Sequence, residues 1–426
     1  MAQRLLVISH GHPRFNRGGG EHAAYAVHEH VGALPSWDSL FLAAAPEGRL
    51  GAGEDLEQLG EVQEWLVRPT DDWLLFESAV ALGPGCALQR LIEAWQPDVV
   101  HWHHYHRLGL DLLLAIDRWC PQARTVFTLH EFLALCPFQG QLLTPADGVC
   151  DGPQLEACSR CLPEIDPADL VLREALLRRL MVAVDVFIAP SAQLAALYGA
   201  WGLEPERLQL VEYALPAALM TVYEQWQSRP AALAPPAAEG SAPVRFGFFG
   251  NVLPSKGLDL ILEAFAALAA EQPEARLTVF GRIPDDWSAL PRHHHAFYGR
   301  VRALLAELEG RVTVLGGYGQ EDVPRLMQSI DWVVMASRWR ENSPVVILEA
   351  KACRRPLLVP ALGGMAEKVR DGLDGWHFQP GNAEDLAALM RRCCTSRQAW
   401  YTLVQRMAGP VALEPILAAH LRIYAS

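Results

Sequence analysis

Residues 332–350 read WVVMASRWRENSPVVILEA, and the fold turns on how this stretch is read. It opens on an apolar, β-branched run, Trp332–Ala336, and crosses a short polar loop. It closes on Val345-Val-Ile-Leu-Glu-Ala350, apolar around most of a helix circumference. A strand followed at once by a helix of that kind, which must be buried, is one half of a βαβ unit. Ser343 fits the N-cap and Pro344 the first helical position, the one offering a hydroxyl acceptor and the other a pre-set φ. Glu349 falls about a turn and a half into the buried helix, where a carboxylate needs hydrogen-bond donors. Glu341 precedes the cap, beside N–H groups suited to an anion. A capped core helix with a structural ion pair accounts for the same spacing.

Outward from that unit, the pattern repeats on both sides. Toward the C-terminus stands Pro356–Pro360. Toward the N-terminus stand Arg311–Leu315, Arg276–Phe280 and Val244–Phe249, with helical patterns Leu258–Ala270 and Val323–Ser329 between them. The first half carries its own runs: Arg4–Ser9, Ser39–Ala43, Asp98–Trp102, Arg124–Leu129, Asp185–Ala189 and Leu208–Val211. Most are apolar throughout rather than alternating, as a parallel sheet covered on both faces requires. Residues 228–243, SRPAALAPPAAEGSAP, keep no apolar period and read as a connection between domains. The reading is α/β with two doubly wound domains, 1–227 and 244–408, and a C-terminal amphipathic helix, 409–426, packing back on the first domain.

Composition fits two globular domains: 426 residues, 51% hydrophobic and 20% charged. A net charge of −13 argues against a nucleic-acid partner. There is no run of eighteen uncharged apolar residues, and MAQRLLVISH reads as a buried first strand rather than a signal peptide. Nine cysteines, an odd number, form no complete disulfide framework, so a reducing cytoplasm is expected.

Ligands of open α/β sheets bind beyond the carboxyl ends of the strands. After the first strand comes HGHPRFNRGGGE, residues 10–21, where three glycines permit close approach of backbone to ligand ahead of a helix N-terminus. A plain tight turn explains it equally. After Thr128-Leu129 come His130 and Glu131, the histidine able to accept or donate to a sugar hydroxyl, or simply satisfied by backbone. Lys256 lies in the loop after Phe249-Gly250, where a point charge can neutralise a diphosphate or face solvent. Asp71-Asp72 and Asp285-Asp286 read as solvated loop charges, and His293-His294-His295 as a loop. His101, His103, His104 and His106 surround a strand end and divide between ligand side and packing.

Taken in order, six segments resemble one family. They are GGGE at 18–21, TLHE at 128–131, FFGNVLPSKG at 248–257, VTVLGGY at 312–318, ENSPVVILEA at 341–350 and GGMAEKVRDGLDGWHF at 363–378. Together they are similar to the GT-B glycosyltransferases, specifically the retaining family 4 (glycosyl transferases group 1). Two glutamates eight positions apart, here Glu341 and Glu349, are that family's hallmark. The resemblance covers nearly the whole chain and implies two Rossmann-like domains facing a central cleft. It implies transfer of a hexose-type sugar from a nucleotide-diphosphate sugar to a hydroxyl acceptor with retention, in glycan, polysaccharide or glycoconjugate biosynthesis.

By the same resemblance, Glu341 holds donor-sugar hydroxyls, Glu349 the ribose, and Lys256 the diphosphate. Backbone near Asn342, Ser343, Val345 and Val346 binds sugar and phosphate, and Gly317 passes near the base. Gly19 and Gly20 line the phosphate or acceptor side, and His130 stands near the reacting sugar carbon. The departing diphosphate takes the acceptor proton, and no metal cofactor is required for catalysis. The family usually has arginine where this chain has Asn251, a loss that weakens donor binding, changes the donor, or is offset by another base such as Arg282 or Arg300. The acceptor is a sugar, glycan or lipid-linked molecule. Arg173, Arg178 and Arg179 lie on the apolar helical stretch Leu170–Val184, which reads first as a packed domain helix and otherwise as a peripheral contact with the inner face of a membrane.

Cys136, Cys150, Cys158 and Cys161 fall in a Gly/Pro-rich insert, about 136–161, after the TLHE strand. Four thiolates suit a structural zinc or an iron–sulfur cluster; partly buried thiols or two disulfides are the plainer readings. Three other functions compete with glycosyl transfer: a phosphorylase or epimerase of the same shape, a non-catalytic nucleotide-sugar binder, and a metal or redox sensor built on the cysteines.

Overall fold

The computed structural model describes residues 2–16, 18–60, 62–145, 148–215, 217–228, 243–287, 290 and 292–426. The chain divides into two compact units, one made of Met1–Pro145, Cys150–Pro216 and Val411–Ser426, the other chiefly of Ala217–Pro410.

The first unit is built on β1 (Gln3–Ser9), β2 (Trp37–Ala44), β3 (Leu56–Gln58), β4 (Glu64–Val67), β5 (Val99–Trp102), β6 (Arg124–Thr128), β7 (Val186–Ala189) and β8 (Leu208–Leu210). They form one sheet in the order β3-β4-β2-β1-β5-β6-β7-β8, parallel except for the antiparallel β3–β4 edge. Residues Leu5 to Ile8 are fully buried, as a strand covered on both faces must be. The helices are α1 (Gly19–Gly32), α2 (Ala87–Trp95), α3 (Leu110–Trp119), α4 (Leu155–Cys161), α5 (Pro167–Val182) and α6 (Ala192–Trp201). Local chemistry starts two of them: Asp166 accepts from Ala168 N–H ahead of Pro167, and Ser191 accepts from Leu194 N–H.

The second unit opens with α7 (Ala217–Ser228). Its strands are β9 (Arg245–Phe249), β10 (Arg276–Phe280), β11 (Val312–Val314), β12 (Trp332–Val334), β13 (Leu357–Pro360) and β14 (Gly375–Phe378). They make a wholly parallel sheet in the order β11-β10-β9-β12-β13-β14. Around it run α8 (Leu258–Glu271), α9 (Arg292–Glu307), α10 (Val323–Gln328), α11 (Val345–Ala352), α12 (Gly363–Lys368), α13 (Ala383–Thr395) and α14 (Arg397–Arg406). The last helix, α15 (Leu413–Ala425), belongs to the first unit. Its Ile416, Ile423 and Tyr424 enter that unit's core beside Trp37 and Val99.

Several expectations change. The first domain was expected to run to residue 227, but α7 belongs to the second unit. It packs with α11, and its Tyr223 lies so close to Gly409 that a Cβ there would meet the ring at 2.0 Å. Of the expected connection 228–243, residues 229–242 lie outside the described residues. Strands β3, β4 and β14 were not anticipated, because they are short and carry Glu57, Glu64 or His377 where an apolar pattern was sought. His293, His294 and His295 open α9 rather than occupying a loop. Asp72 is not a merely solvated charge: its carboxylate accepts the N–H groups of Leu74, Leu75 and Glu77 and shapes the loop.

Candidate active site

In the second unit, three loops at the carboxyl ends of β9, β11 and β12 carry the expected donor residues. Beyond β9 the chain turns through Pro254–Lys256, a single turn of 3-10 helix, to Gly257 at φ 67°. A Cβ on Gly257 would stand 2.1 Å from the Ala336 carbonyl oxygen, so only glycine lets this loop close on the end of β12. Arg338 fastens it further. Its guanidinium forms a two-point pair with Asp259 at 2.9 and 2.7 Å and donates to the Pro254 carbonyl at 2.7 Å. The result is a fixed Lys256. Its Nζ lies 2.5 Å from Glu341 Oε1, which also accepts from Ser337 Oγ at 2.6 Å. Glu341 is 4% exposed, and the ammonium and the hydroxyl are what make its burial tolerable.

The 340–342 loop is held from behind. Gly364 N–H donates to the Glu341 carbonyl at 2.8 Å, and a Cβ on Gly364 would stand 1.5 Å from Asn342 O. Helix α11 begins at Val345 with Pro344 as its N-cap, not Ser343 as expected, and no side chain caps it. Pro344 is itself extended, at φ −62° and ψ 117°, so the first helical residue falls one position on. Asn342 and Ser343 are buried, Val345 and Val346 half-buried, at the helix N-terminus where backbone N–H groups point outward.

One turn into α11 lies Glu349, buried, accepting from Gln320 Nε2 at 2.7 Å. Burial pushes its carboxyl up to about 7, against the pull of that hydrogen bond. Tyr318 stands edge-on to Phe249 at 5.7 Å, and the charge of Glu349 bears on its hydroxyl. The exposed Gly317 therefore belongs to a loop, 316–318, that neighbours Glu349. Asn251 is exposed directly after Gly250. Arg300 is paired with Glu263 of α8. Arg282 is exposed, and it follows β10 as Asn251 follows β9, with Phe249 and Phe280 in register and the backbones of Gly250 and Gly281 in contact.

The first unit places its own group at the ends of β1, β5 and β6. His130 is hydrogen-bonded through Nε2 to His103 Nδ1 at 2.9 Å and through Nδ1 to Tyr213 Oη at 2.7 Å. Burial, with His104 and His10 alongside, keeps its ring well below the usual histidine range and so neutral. A Cβ on Gly20 would lie 3.3 Å from His10 Cε1 and 3.7 Å from His130 Cγ, so Gly20 lets α1 start against both rings. The anion at that helix start is the chain's own. Glu21 pairs with His10 at 3.2 Å and folds back until a Cβ on Gly18 would touch its carboxylate at 2.2 Å. Burial opposes ionisation there, but the His10 contacts outweigh it and hold Glu21 down at about 2. Gly19 and Gly20 thus frame a helix start that Glu21 already occupies. Buried surroundings push Glu131 up to about 8, and it stands 3.4 Å from His104.

Two family models match this chain: Glycosyltransferase Family 4 over residues 18–214 and Glycosyl transferases group 1 over residues 237–406. The chain belongs to glycosyltransferase family 4. Its similar curated proteins include D-inositol 3-phosphate glycosyltransferase of Mycobacterium tuberculosis (strain F11), 32% identical over 311 residues, covering 70% of this chain and 55% of that protein. The protein of the same description from Mycobacterium sp. (strain JLS) is 30% identical over 282 residues, covering 65% and 54%. The chain thus spans about half the length of the curated relatives it matches. Among solved structures it is similar to Anabaena Alr3699/HepE in complex with UDP-glucose, with TM-score 0.62, 16% identity and coverage of 99% and 98%. Sucrose-phosphate synthase from Thermosynechococcus elongatus gives TM-score 0.65, 18% identity and coverage of 99% and 98%. The fold of this family 4 member is GT-B.

Sequence reasoning named Lys256, Glu341 and Glu349 but not the groups that hold them: Ser337, Arg338, Gln320 and Gly364. Ser337 and Arg338 were legible only as residues past a strand end. The partner glycines were visible in GGMAEK, without a sign of what they touch. His103 was legible as one of the histidines at a strand end but not as the partner of His130, and Tyr213 gave no local signal, since both come from other segments of the sheet. Arg173 follows the packed-helix reading rather than the lipid one: it is 3% exposed, donating to the carbonyls of Leu133 and Ala134. Arg178 pairs with Glu174 and stacks on Trp201. No helix among the described residues is long and apolar enough to cross a membrane. Nor is any group of three or more His, Cys, Asp or Glu side chains among them drawn together as a metal ligand set.

Proposed function

We propose that this chain moves a hexose-type sugar from a nucleoside-diphosphate sugar to a hydroxyl acceptor with retention of configuration. The observation that carries the proposal is the Lys256–Glu341 pair, joined at 2.5 Å and fixed by Ser337 and the glycine-dependent loops. It puts one cation and one hydroxyl-binding carboxylate side by side at the start of α11, where helix N–H groups favour phosphate. Glu349, further along the same helix, and Gln320, which reaches it from the turn before α10, suit a ribose. Family membership supports the reaction class, and the HepE structure with UDP-glucose supports the donor class.

In the reaction we propose, the acceptor hydroxyl attacks the anomeric carbon on the face from which the diphosphate leaves. The bond from that carbon to the diphosphate oxygen breaks as the new glycosidic bond forms, and the hydroxyl proton passes to the departing diphosphate. Lys256 and the α11 N-terminus stabilise the negative charge that develops, so no metal is needed for it. Glu341 fixes the sugar by its hydroxyls. Arg282 supplies the second positive charge that Asn251 does not. The same proposal places the protein in the cytoplasm, in glycan or polysaccharide assembly on a sugar, glycan or lipid-linked acceptor. Any membrane contact runs through exposed Arg179, Val171 and Leu172 of α5 rather than Arg173.

The test is a panel of nucleotide sugars read by thermal shift and nucleotide release. Glu341→Ala and Lys256→Ala are each expected to lower kcat/KM by about 10² or more, the magnitude of removing one preorganised charge-stabilising contact. Arg282→Ala is expected to weaken donor binding selectively. If no nucleotide sugar shifts the melting point, or if a donor binds and turns over equally in the Glu341 variant, this reading is wrong. Product anomers resolved by NMR decide retention.

A further inference from the structure

Of the chain's nine cysteines, four belong to one short segment, and all four line one cavity of about 210 Å³. Its other walls are mostly apolar, with Leu135, Phe138 and Leu143 among them, and include Thr144 and Arg160. The spacing is thirteen, seven and two intervening residues, and Cys158 and Cys161 lie on one helix, α4. Positions three apart on a helix face the same side. The backbone between Cys136 and Cys150 doubles back through Gln139, Gly140 and Leu142, all at positive φ, and Cys150 N–H closes on the Leu142 carbonyl at 2.8 Å. A Cβ on Gly140 would stand 2.3 Å from Glu131 Oε2, so the reversal is built on a glycine and locked to the end of β6. All four cysteines are free thiols.

We propose that Cys136, Cys150, Cys158 and Cys161 bind one zinc ion as a tetrathiolate, which ties the 136–161 segment together. A segment with one short helix and a Gly/Pro-rich remainder has little core of its own to hold it, and a closed tetrahedral thiolate site is a usual remedy. As free thiols, Cys136 donates to the Phe138 carbonyl at 3.6 Å and Cys150 to the Gly152 carbonyl at 3.4 Å. Binding breaks four S–H bonds and forms four Zn–S bonds, and the protons leave to solvent. The net charge of −2 that results falls near Arg160, which lines the cavity, and Arg173, whose charge acts on Cys158. The sulfurs ring the cavity without being gathered into a ligand set, so binding draws them inward. The site is independent of the glycosyl-transfer reading, since it uses none of the residues assigned to the donor.

The experiment takes the full chain, purified without chelator and freed of any histidine tag. Elemental analysis is expected to find about one zinc per chain in the wild type and in Cys86→Ser, whose thiol lies outside the cavity. In the double variant Cys158→Ser, Cys161→Ser the zinc content is expected to fall at least tenfold. Cobalt substituted into the wild type is expected to show thiolate charge-transfer bands with tetrahedral d–d bands, a signature that holds even if the double variant fails to fold. Metal-free protein in which all four thiols react freely overturns the proposal. So does a mass two hydrogens lighter per bridge, which means disulfides, and so does iron with inorganic sulfide.

Discussion

Glu349 is 3% exposed and has Gln320 as its hydrogen-bond donor, and its carboxyl is raised from 4.5 to about 7. Below pH 4.5 the group is protonated in folded and unfolded chains alike. As pH rises from there to 7, the unfolded chain releases the proton first. Stability is therefore lost as pH climbs through that window, at about 1.4 kcal/mol for each pH unit, or roughly 3 kcal/mol in all. Glu349→Gln keeps the oxygen that Gln320 donates to and cannot ionise. Urea unfolding of both proteins should show the variant gaining on the wild type by roughly that amount between pH 4.5 and 8. A difference flat in pH would mean that the carboxylate is not desolvated. The need of Glu349 for a partner was legible from its place in an apolar helix. That the partner is Gln320, twenty-nine residues upstream, was not, because no local pattern links a loop glutamine to a helix it meets only in three dimensions.

At the scale of elements, the loop carrying Glu341 depends on the glycines packed behind it. Gly363 has φ 59° with Arg340 O at 2.1 Å from a Cβ position, and Gly364 has Asn342 O at 1.5 Å. Gly372 shares the left-handed backbone, φ 73°, but has open space around it. This pair of situations separates strain from displacement. Gly372→Ala should cost about 1 kcal/mol in stability and leave the donor KM unchanged. Gly364→Ala must push the 340–342 backbone aside and should raise the donor KM at least tenfold. Equal KM values for the two variants would remove the role given to the loop. The glycines were visible in the sequence; the contact that makes them indispensable was not. The same gap explains the helix start at Val345 and the missed strands. Glu64 in β4 is buried because His12, Tyr25 and Arg14 satisfy it at 3.1, 2.7 and 3.2 Å, partners drawn from two other segments.

At the scale of the whole chain, the last helix belongs to the first unit. Tyr424 Oη is hydrogen-bonded to His101 Nδ1 at 2.7 Å, and the same imidazole meets Thr128 through Nε2 at 2.7 Å. Tyr424→Phe should destabilise by about 1–3 kcal/mol, because the buried imidazole nitrogen is left without that partner. Removing residues 411–426 should abolish hydrogen-exchange protection in β1 and β5 while β9 and β12 keep theirs. Loss spread evenly over both sheets would contradict the assignment of α15 to one unit.

What the sequence determined by itself is the class of fold, the alternation of strand and helix, and the positions of Lys256, Glu341 and Glu349. Each of these is written in neighbouring residues: apolar runs of strand length, helix starts with proline, glycine in the loops that follow strands. The tertiary structure alone decided the sheet order, the membership of α7 and α15, and the partners that fix each candidate site side chain. Those depend on contacts between residues tens to hundreds of positions apart, such as His101 with Tyr424 and Lys256 with Glu341. Burial turns such contacts into requirements, since a charge or polar group taken out of water must find its partner wherever the fold brings one.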